Sequence, residues 1–83
     1  MNKQKQFIEQ VIQCRGEKFN FVKLGMKVEF DGEQGTIVGI NHSGNFVVKF
    51  SNELKFGKKT VSCHPTYKMK YFDENNQLIK SFN

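Results

Sequence analysis

The middle of the chain carries three runs of β-forming residues, 26–30, 36–40 and 46–50, in which apolar and polar side chains alternate. The apolar residues that share a face are Met26, Val28 and Phe30 in the first run and Phe46, Val48 and Phe50 in the third. A period of two residues is typical of a strand with one buried face and one solvated face. The pattern therefore predicts three strands.

Turn-forming residues separate these strands. They are Asp31, Gly32 and Gly35 in the first gap and Ser43, Gly44 and Asn45 in the second. Glycine and asparagine tolerate the positive φ that tight hairpin turns require. We therefore predict that residues 25–50 form a three-stranded antiparallel meander, the start of a small curled sheet.

Three further strands are predicted after the meander, at residues 60–63, 67–72 and 77–82, and the segment 51–59 is predicted as a loop. Pro65 ends the first of these strands because proline cannot donate to a β ladder. The second strand alternates, with Tyr67, Met69 and Tyr71 on one face and Lys68 and Lys70 on the other.

Residues 2–15 show a helical pattern. Their apolar stripe consists of Phe7, Ile8, Val11 and Ile12. Asn2 is the expected N-cap, and Gly16 is the residue that ends the helix. A helix this short is marginal alone, so we expect its stripe to dock on the open end of the sheet. Residues 17–24 then form a connector, which either adds a short strand or packs as an extended segment.

These elements predict a mainly β fold, a small antiparallel barrel of five to six strands with an N-terminal α-helix. We expect a single domain over residues 1–83, with the helix in 1–16 and the barrel in 25–83. A chain of 83 residues has a thin core and little room for a deep catalytic cleft. Nine Phe and two Tyr compensate for the short length, because each aromatic side chain buries a large area.

The net charge of +5 and the isoelectric point of about 9.4 favour polyanionic partners. Residues 55–70 contain five lysines and no acid, whereas acids gather on the first hairpin at Glu29, Asp31 and Glu33. The five lysines are Lys55, Lys58, Lys59, Lys68 and Lys70. If the fourth and fifth predicted strands pair, lysines of both strands share a face that contacts phosphate.

Aromatic residues lie beside these lysines in the sequence. Phe56, Tyr67 and Tyr71 are candidates for stacking on bases next to a basic face. The same alternation has a second interpretation, in which Tyr67, Met69 and Tyr71 belong to the core and the lysines form a solvated outer face.

The second hairpin tip, residues 41–45, is polar throughout. Loop tips often carry recognition, which makes His42 and Asn45 candidate contacts for a partner. Turn formation alone is the alternative explanation for Gly44 and for the asparagines.

Metal binding and catalysis are less well supported by the sequence. The side chains that could bind a metal ion are Cys14, His42, Cys63 and His64. None forms a Cys-x-x-Cys pair, and adjacent residues of a strand point to opposite faces, so we expect no metal and no cofactor. Cys63 lies in an alternating strand and is expected to be a buried, inert thiol with a raised pKa. Without a nucleophile elbow, a phosphate loop or paired carboxylates, we expect a non-enzymatic protein.

The first residues are polar, and no apolar run follows that could serve as a signal sequence. No stretch approaches the roughly 20 apolar residues of a membrane helix. We therefore expect a cytoplasmic protein with no membrane contact and with both of its cysteines reduced.

The meander contains the pattern Gly25-x-x-Val28-x-Phe30, then a glycine turn, Gly35-Thr36-Ile37-Val38, and a third strand with Val-x-Phe. This pattern resembles the SH3-like barrels of KOW and Tudor type over residues 25–63. The resemblance implies a module that binds RNA, DNA, ribosomal or polymerase surfaces, or modified tails. The aromatic cage of methyl-reading Tudor domains is not evident.

A second, local pattern is Ser62-Cys63-His64-Pro65, followed by Tyr67 and by Tyr71-Phe72-Asp73. It is similar to a family of small phage and prophage proteins that combine a glycine-rich hairpin with a Cys-His-Pro-x-aromatic segment. That family carries no assigned activity, so the likeness implies a phage origin and no mechanism.

We therefore expect a small, phage-encoded binding module that contacts nucleic acid, RNA or DNA, non-specifically through its lysine face. The alternative is an adaptor or inhibitor that docks on an acidic surface of a host protein such as RNA polymerase or a nuclease. Among 13 basic residues only Arg15 is arginine, and lysine is the poorer bidentate donor, which argues against base-specific reading. The oligomeric state, and whether the helix packs in cis or across a dimer, stay open.

Overall fold

A computed structural model describes residues 3–82, and it contains two α-helices, a 3-10 helix and six strands. The helices are α1 (Lys3–Arg15) and α2 (Glu53–Phe56), with the 3-10 helix at Glu17–Phe19. The strands are β1 (Lys27–Phe30), β2 (Glu33–Ile40), β3 (Phe46–Phe50), β4 (Thr60–Cys63), β5 (Met69–Phe72) and β6 (Leu78–Ser81). The predicted mainly β class with an N-terminal helix is confirmed, and the predicted cap at Asn2 lies outside the described residues.

All six strands belong to one antiparallel sheet in the order β4-β3-β2-β1-β5-β6. Because β5 returns to the free side of β1, the sheet forms a small barrel-like fold. β4 and β6 remain the two edges, so hydrogen bonds do not close the barrel. The condition for a lysine face shared by the fourth and fifth strands is not met, since β3, β2 and β1 lie between β4 and β5.

The hairpin between β1 and β2 is tighter than the sequence pattern suggests. Asp31 and Gly32 have φ values of 49° and 85°, and they form a two-residue turn after which β2 begins at Glu33. Gly35 therefore lies inside the strand instead of in the gap. A Cβ atom at this position would come within 2.6 Å of Val48 Cγ1, which explains why the strand carries glycine here.

One hydrophobic core joins the helix, the connector and the sheet. Its buried side chains are Phe7, Val11, Phe19, Val22, Val28, Ile37, Phe46, Val48, Phe50, Cys63, Met69 and Tyr71. The predicted docking of α1 is confirmed: Phe7 and Val11 are buried, and Ile8 and Ile12 are half-buried.

The connector is built from turns, so the predicted short strand or extended segment is wrong. Gly16 ends α1 with a φ of 89°. Phe19 N–H then donates to Gly16 O at 3.2 Å, and Val22 N–H donates to Phe19 O at 3.1 Å. Residues three apart lie on one side of such turns, so Phe19 and Val22 are both buried.

Polar contacts anchor α1 near both of its ends. The side-chain amide of Gln4 accepts the N–H of Leu24 at 2.6 Å and donates to the carbonyl of the same residue at 3.4 Å. At the other end, Arg15 Nε donates to Gly44 O at 2.9 Å, and its guanidinium also donates to Asn45 Oδ1 at 3.0 Å. These contacts tie the helix to the segment before β1 and to the hairpin between β2 and β3.

Two further segments differ from the prediction. The segment 51–59 contains α2, whose N-cap Asn52 accepts the N–H of Lys55 at 3.3 Å. β5 begins only at Met69, because Lys68 has a φ of 53° and interrupts the strand. Tyr67 consequently lies outside the ladder and is 53% exposed, whereas alternation had placed it on the same face as Met69.

We predict that Phe7→Ala lowers the free energy of unfolding by about 3–5 kcal/mol, because it leaves a cavity under a docked helix. The Phe7 ring is buried and lies 6.1 Å from that of Phe46. Glu9→Ala, on the exposed side of α1, is the matched control and should change little. Urea denaturation followed by circular dichroism measures both variants, and equal unfolding free energies would contradict docking.

Candidate nucleic-acid interface

The lysine-rich stretch and the acidic first hairpin are distant in sequence but are neighbours in the structure. The ion pairs, from Nζ to a carboxylate oxygen, are Lys55 with Glu33 at 3.3 Å, Lys68 with Asp31 at 3.8 Å and Lys70 with Glu29 at 3.7 Å. The strand register causes the last pair, since Glu29 on β1 lies directly opposite Lys70 on β5. The charge segregation seen along the sequence is therefore largely cancelled in space.

These ion pairs are exposed, and each contributes roughly 0–1 kcal/mol to stability. The carboxylates of these pairs weaken the attraction of a phosphate, because a phosphate that approaches Lys68 or Lys70 is also repelled by the carboxylate beside that lysine. Lys58 and Lys59 are exposed and make no ion pair within residues 3–82. The structure thus divides the predicted basic face into paired lysines and unpaired ones.

The three rings predicted to stack on bases have different environments. Tyr71 is fully buried, which confirms its core interpretation and removes it from any stacking surface. Phe56 is half-buried and stacks on Phe50 with ring centroids 4.1 Å apart. Tyr67 is half-exposed, and Lys68 Nζ lies 5.4 Å from its ring centroid. Of the three, Tyr67 offers the most accessible ring.

The hairpin tip 41–45 is ordered by its own polar atoms. Asn41 Oδ1 accepts the N–H groups of Ser43 at 3.0 Å and of Asn45 at 3.1 Å. The Asn45 side chain in turn accepts from Arg15, so its carbonyl oxygen is already engaged within the protein. His42 is exposed at this tip. Turn formation, the alternative explanation, accounts for Asn41, whereas the contact with Arg15 accounts for Asn45.

A different basic surface crosses the outer face of the sheet. In the strand register, Lys27 on β1 lies opposite Thr36 on β2, Thr36 lies opposite Lys49 on β3, and Lys49 lies opposite Thr60 on β4. All of these side chains are exposed. Because adjacent strands are about 4.8 Å apart, the backbones of Lys27 and Lys49 are separated by roughly 10 Å. We call Lys27, Thr36, Lys49 and Thr60 the lysine–threonine row.

The lysine–threonine row combines positive charge with hydroxyl donors. Ammonium and hydroxyl groups both donate to phosphate oxygens, and such contacts carry no base information. Lys27 and Lys49 make no ion pair within the described part of the chain. Glu53 borders the row, in a depression of about 390 Å³ that Thr36 and Lys49 also line. The row is therefore a cationic strip with Glu53 at its margin, and Glu29, which lies two residues from Lys27 on the same face of β1, pairs with Lys70.

Lys27 and Lys49 are not among the residues predicted from the sequence, because they lie outside the lysine-rich stretch 55–70. The alternation did indicate that these two lysines face solvent, because each is next in its strand to a valine, Val28 or Val48, that is buried. The sequence does not contain the register that aligns them through Thr36 across neighbouring strands. Their arrangement follows only from pairing between β1, β2 and β3.

The candidate metal ligands are dispersed. Cys14 is exposed, Cys63 is buried, and both thiols are free. Burial raises the pKa of the Cys63 thiol to about 11, which confirms the predicted direction. His64 Nδ1 accepts the N–H of Thr66 at 3.2 Å and so belongs to the turn after β4. Within residues 3–82, no group of three or more His, Cys, Asp or Glu side chains is arranged to hold a metal ion.

No protein-family model, curated protein or solved structure gives a significant match to the chain. None of the helices in the described part of the chain has the length and apolar character needed to cross a membrane.

We predict that the folded protein has one reactive thiol. At pH 8, Cys14 should react quickly with a disulfide reagent, whereas Cys63 should react only after unfolding, because it is buried and a pKa of about 11 leaves little thiolate. Cys14→Ser should remove the fast phase and so assign it. Rapid labelling of Cys14→Ser in its folded state would contradict the prediction.

Proposed function

We propose that this protein is a small non-enzymatic module that binds nucleic acid, RNA or DNA, non-specifically through the lysine–threonine row. The observation that carries the proposal is the register that aligns Lys27 and Lys49 with two threonines across four neighbouring strands. The net charge of +5 supports it, because a basic protein attracts polyanions over longer distances.

Binding by this surface is to the phosphate backbone. Each lysine that neutralises a phosphate releases condensed counterions, and this release drives association and makes it sensitive to salt. Lys58 and Lys59 precede Thr60 directly and add positive charge at the β4 end of the row.

Lack of sequence specificity follows from the donors present. Bidentate reading of guanine is mainly the work of arginine, whose planar fork matches two acceptors on the base edge. Arg15 is the only arginine of the chain, and its guanidinium donates to Gly44 and Asn45 within the protein. The row itself supplies single-point donors, which suit phosphate oxygens.

The finer class that we propose is an SH3-like barrel of KOW or Tudor type. Its support is the Gly25-x-x-Val28-x-Phe30 pattern together with β1, which pairs with both β2 and β5. A phage origin is proposed on the Cys63-His64-Pro65 segment, and a cytoplasmic location on the two free thiols of Cys14 and Cys63.

We predict that Lys27→Gln combined with Lys49→Gln weakens binding to single-stranded and duplex probes alike. The salt slope on duplex DNA should fall by about 0.9 for each phosphate that the variant no longer neutralises. The matched control is Lys68→Gln combined with Lys70→Gln, which removes the same charge from lysines that already face carboxylates. Fluorescence anisotropy between 50 and 200 mM salt measures all three proteins, after melting curves have verified their folding.

The row variant should lose more affinity than the control. Equal losses would reject the lysine–threonine row as the site and attribute binding to net charge. If the wild-type protein binds no probe at 50 mM salt, nucleic-acid binding is rejected. An acidic host protein is then the partner to seek on the same face by pull-down from nuclease-treated lysate.

A further inference from the structure

The start of β1 and the β5–β6 hairpin enclose a groove of about 560 Å³. The ladder between β1 and β5 ends at Val28 and Tyr71, and the groove lies beyond this point. Its apolar lining consists of Phe21, Leu24, Met26, Phe72 and Ile79. This volume lies within the range of ligand-binding pockets, and the lining suits an apolar group.

Charges of opposite sign stand on the two sides of the groove. Lys23 and Lys27 come from the segment that leads into β1, and Asp73 and Glu74 come from the β5–β6 turn. The ion pairs found within residues 3–82 involve none of these four side chains. The groove therefore suits an apolar anchor that has an acid on one side and a base on the other.

The chain itself presents such an anchor. Leu54 on α2 is 102% exposed, the highest value among the large apolar side chains of residues 3–82, and it stands between Glu53 and Lys55. Its helix is fixed by the Asn52 cap and by the stacking of Phe56 on the core. Leu54 is thus held in solvent on an ordered turn, where it contributes no burial to the fold.

Leu54 and the groove lie toward opposite ends of β1. α2 is tied to Glu33, just after β1 ends, whereas the groove includes Lys27, where β1 begins. A four-residue strand spans roughly 13 Å. Leu54 therefore does not line the groove of its own chain, and only a second molecule can bring an anchor of this kind to the groove.

We propose that a second copy of this chain docks head to tail, with Leu54 of one copy in the groove of the next. Glu53 then faces Lys23 and Lys27, and Lys55 faces Asp73 and Glu74. Lys55 leaves its exposed pair with Glu33, at little cost in free energy.

Such an interface is heterologous, because the anchor and the groove are different surfaces, and repetition produces a chain or a ring. One apolar side chain and a few exposed charges bury less area than a stable interface requires. The association is therefore weak, rises with protein concentration and weakens with salt. It does not depend on nucleic-acid binding.

Sedimentation velocity over a concentration series, in low salt and without nucleic acid, tests the proposal. The weight-average sedimentation coefficient of the wild-type protein should rise with concentration, and Leu54→Asp or Ile79→Asp should each abolish the rise. Leu78→Asp is the matched control, because Leu78 is also exposed on β6 but does not line the groove. Melting curves verify that each variant folds.

A mixture of two variants gives the decisive result. Leu54→Asp lacks the anchor but keeps an intact groove, whereas Ile79→Asp keeps the anchor but lacks an intact groove. The anchor of Ile79→Asp should therefore bind the groove of Leu54→Asp, and the mixture should form a dimer and nothing larger, because no further intact pair of surfaces remains. A mixture that stays monomeric would overturn the proposal, as would a wild-type protein that is monomeric at every concentration. An equal loss for Leu78→Asp and Ile79→Asp would overturn it too, because it would indicate pairing at the β6 edge.

Discussion

The ring of Tyr71 is fully buried and contacts three separate parts of the chain. Its centroid lies between 5.4 and 6.2 Å from the centroids of four phenylalanine rings. Phe19 and Phe21 belong to the connector, Phe46 belongs to β3, and Phe82 directly follows β6. Such aromatic pairs contribute about 0.5–1.5 kcal/mol each beyond the area they bury. The hydroxyl donates to Pro65 O at 2.6 Å, so its polar atom is satisfied, and burial raises the pKa of this phenol.

The position of Tyr71 also determines the charges on the surface. Because its ring faces the core and Tyr71 lies opposite Val28, Lys70 faces outward opposite Glu29 and pairs with it. The neutralisation of this lysine is therefore a consequence of core packing. Lys27 on β1 and Lys49 on β3 lie directly opposite threonines on the neighbouring strands, so no carboxylate in the register neutralises their charges.

Lys49 of the lysine–threonine row and Leu54 of the proposed anchor share one property: the fold does not need their side chains. Lys49 is exposed on a rigid strand, and Leu54 is exposed on a capped turn, so neither contributes burial to the core. Lys27 belongs to both surfaces, because it also lines the groove, so head-to-tail association engages Lys27 with Glu53 and leaves Lys49 in the row of each copy to contact one polyanion. Binding of the second row is then effectively intramolecular, which raises the overall affinity of weak individual contacts.

The sequence by itself determined most of the strands and the N-terminal helix, because the apolar period and the turn residues that specify them act between near neighbours. β3 and β4 have their predicted bounds, and the stripe of α1 docks as expected, with Phe7 and Val11 buried. Tertiary structure alone decided that β5 pairs with β1, because this pairing, with contacts such as Glu29 with Lys70, joins residues that are distant in the sequence. It also decided the positive φ of Lys68, whose carbonyl oxygen accepts the N–H of Asp31. This backbone conformation leaves Tyr67 outside the ladder. A shift of one residue in register moves every side chain to the other face, so only the paired sheet could decide which lysines are neutralised and which are free.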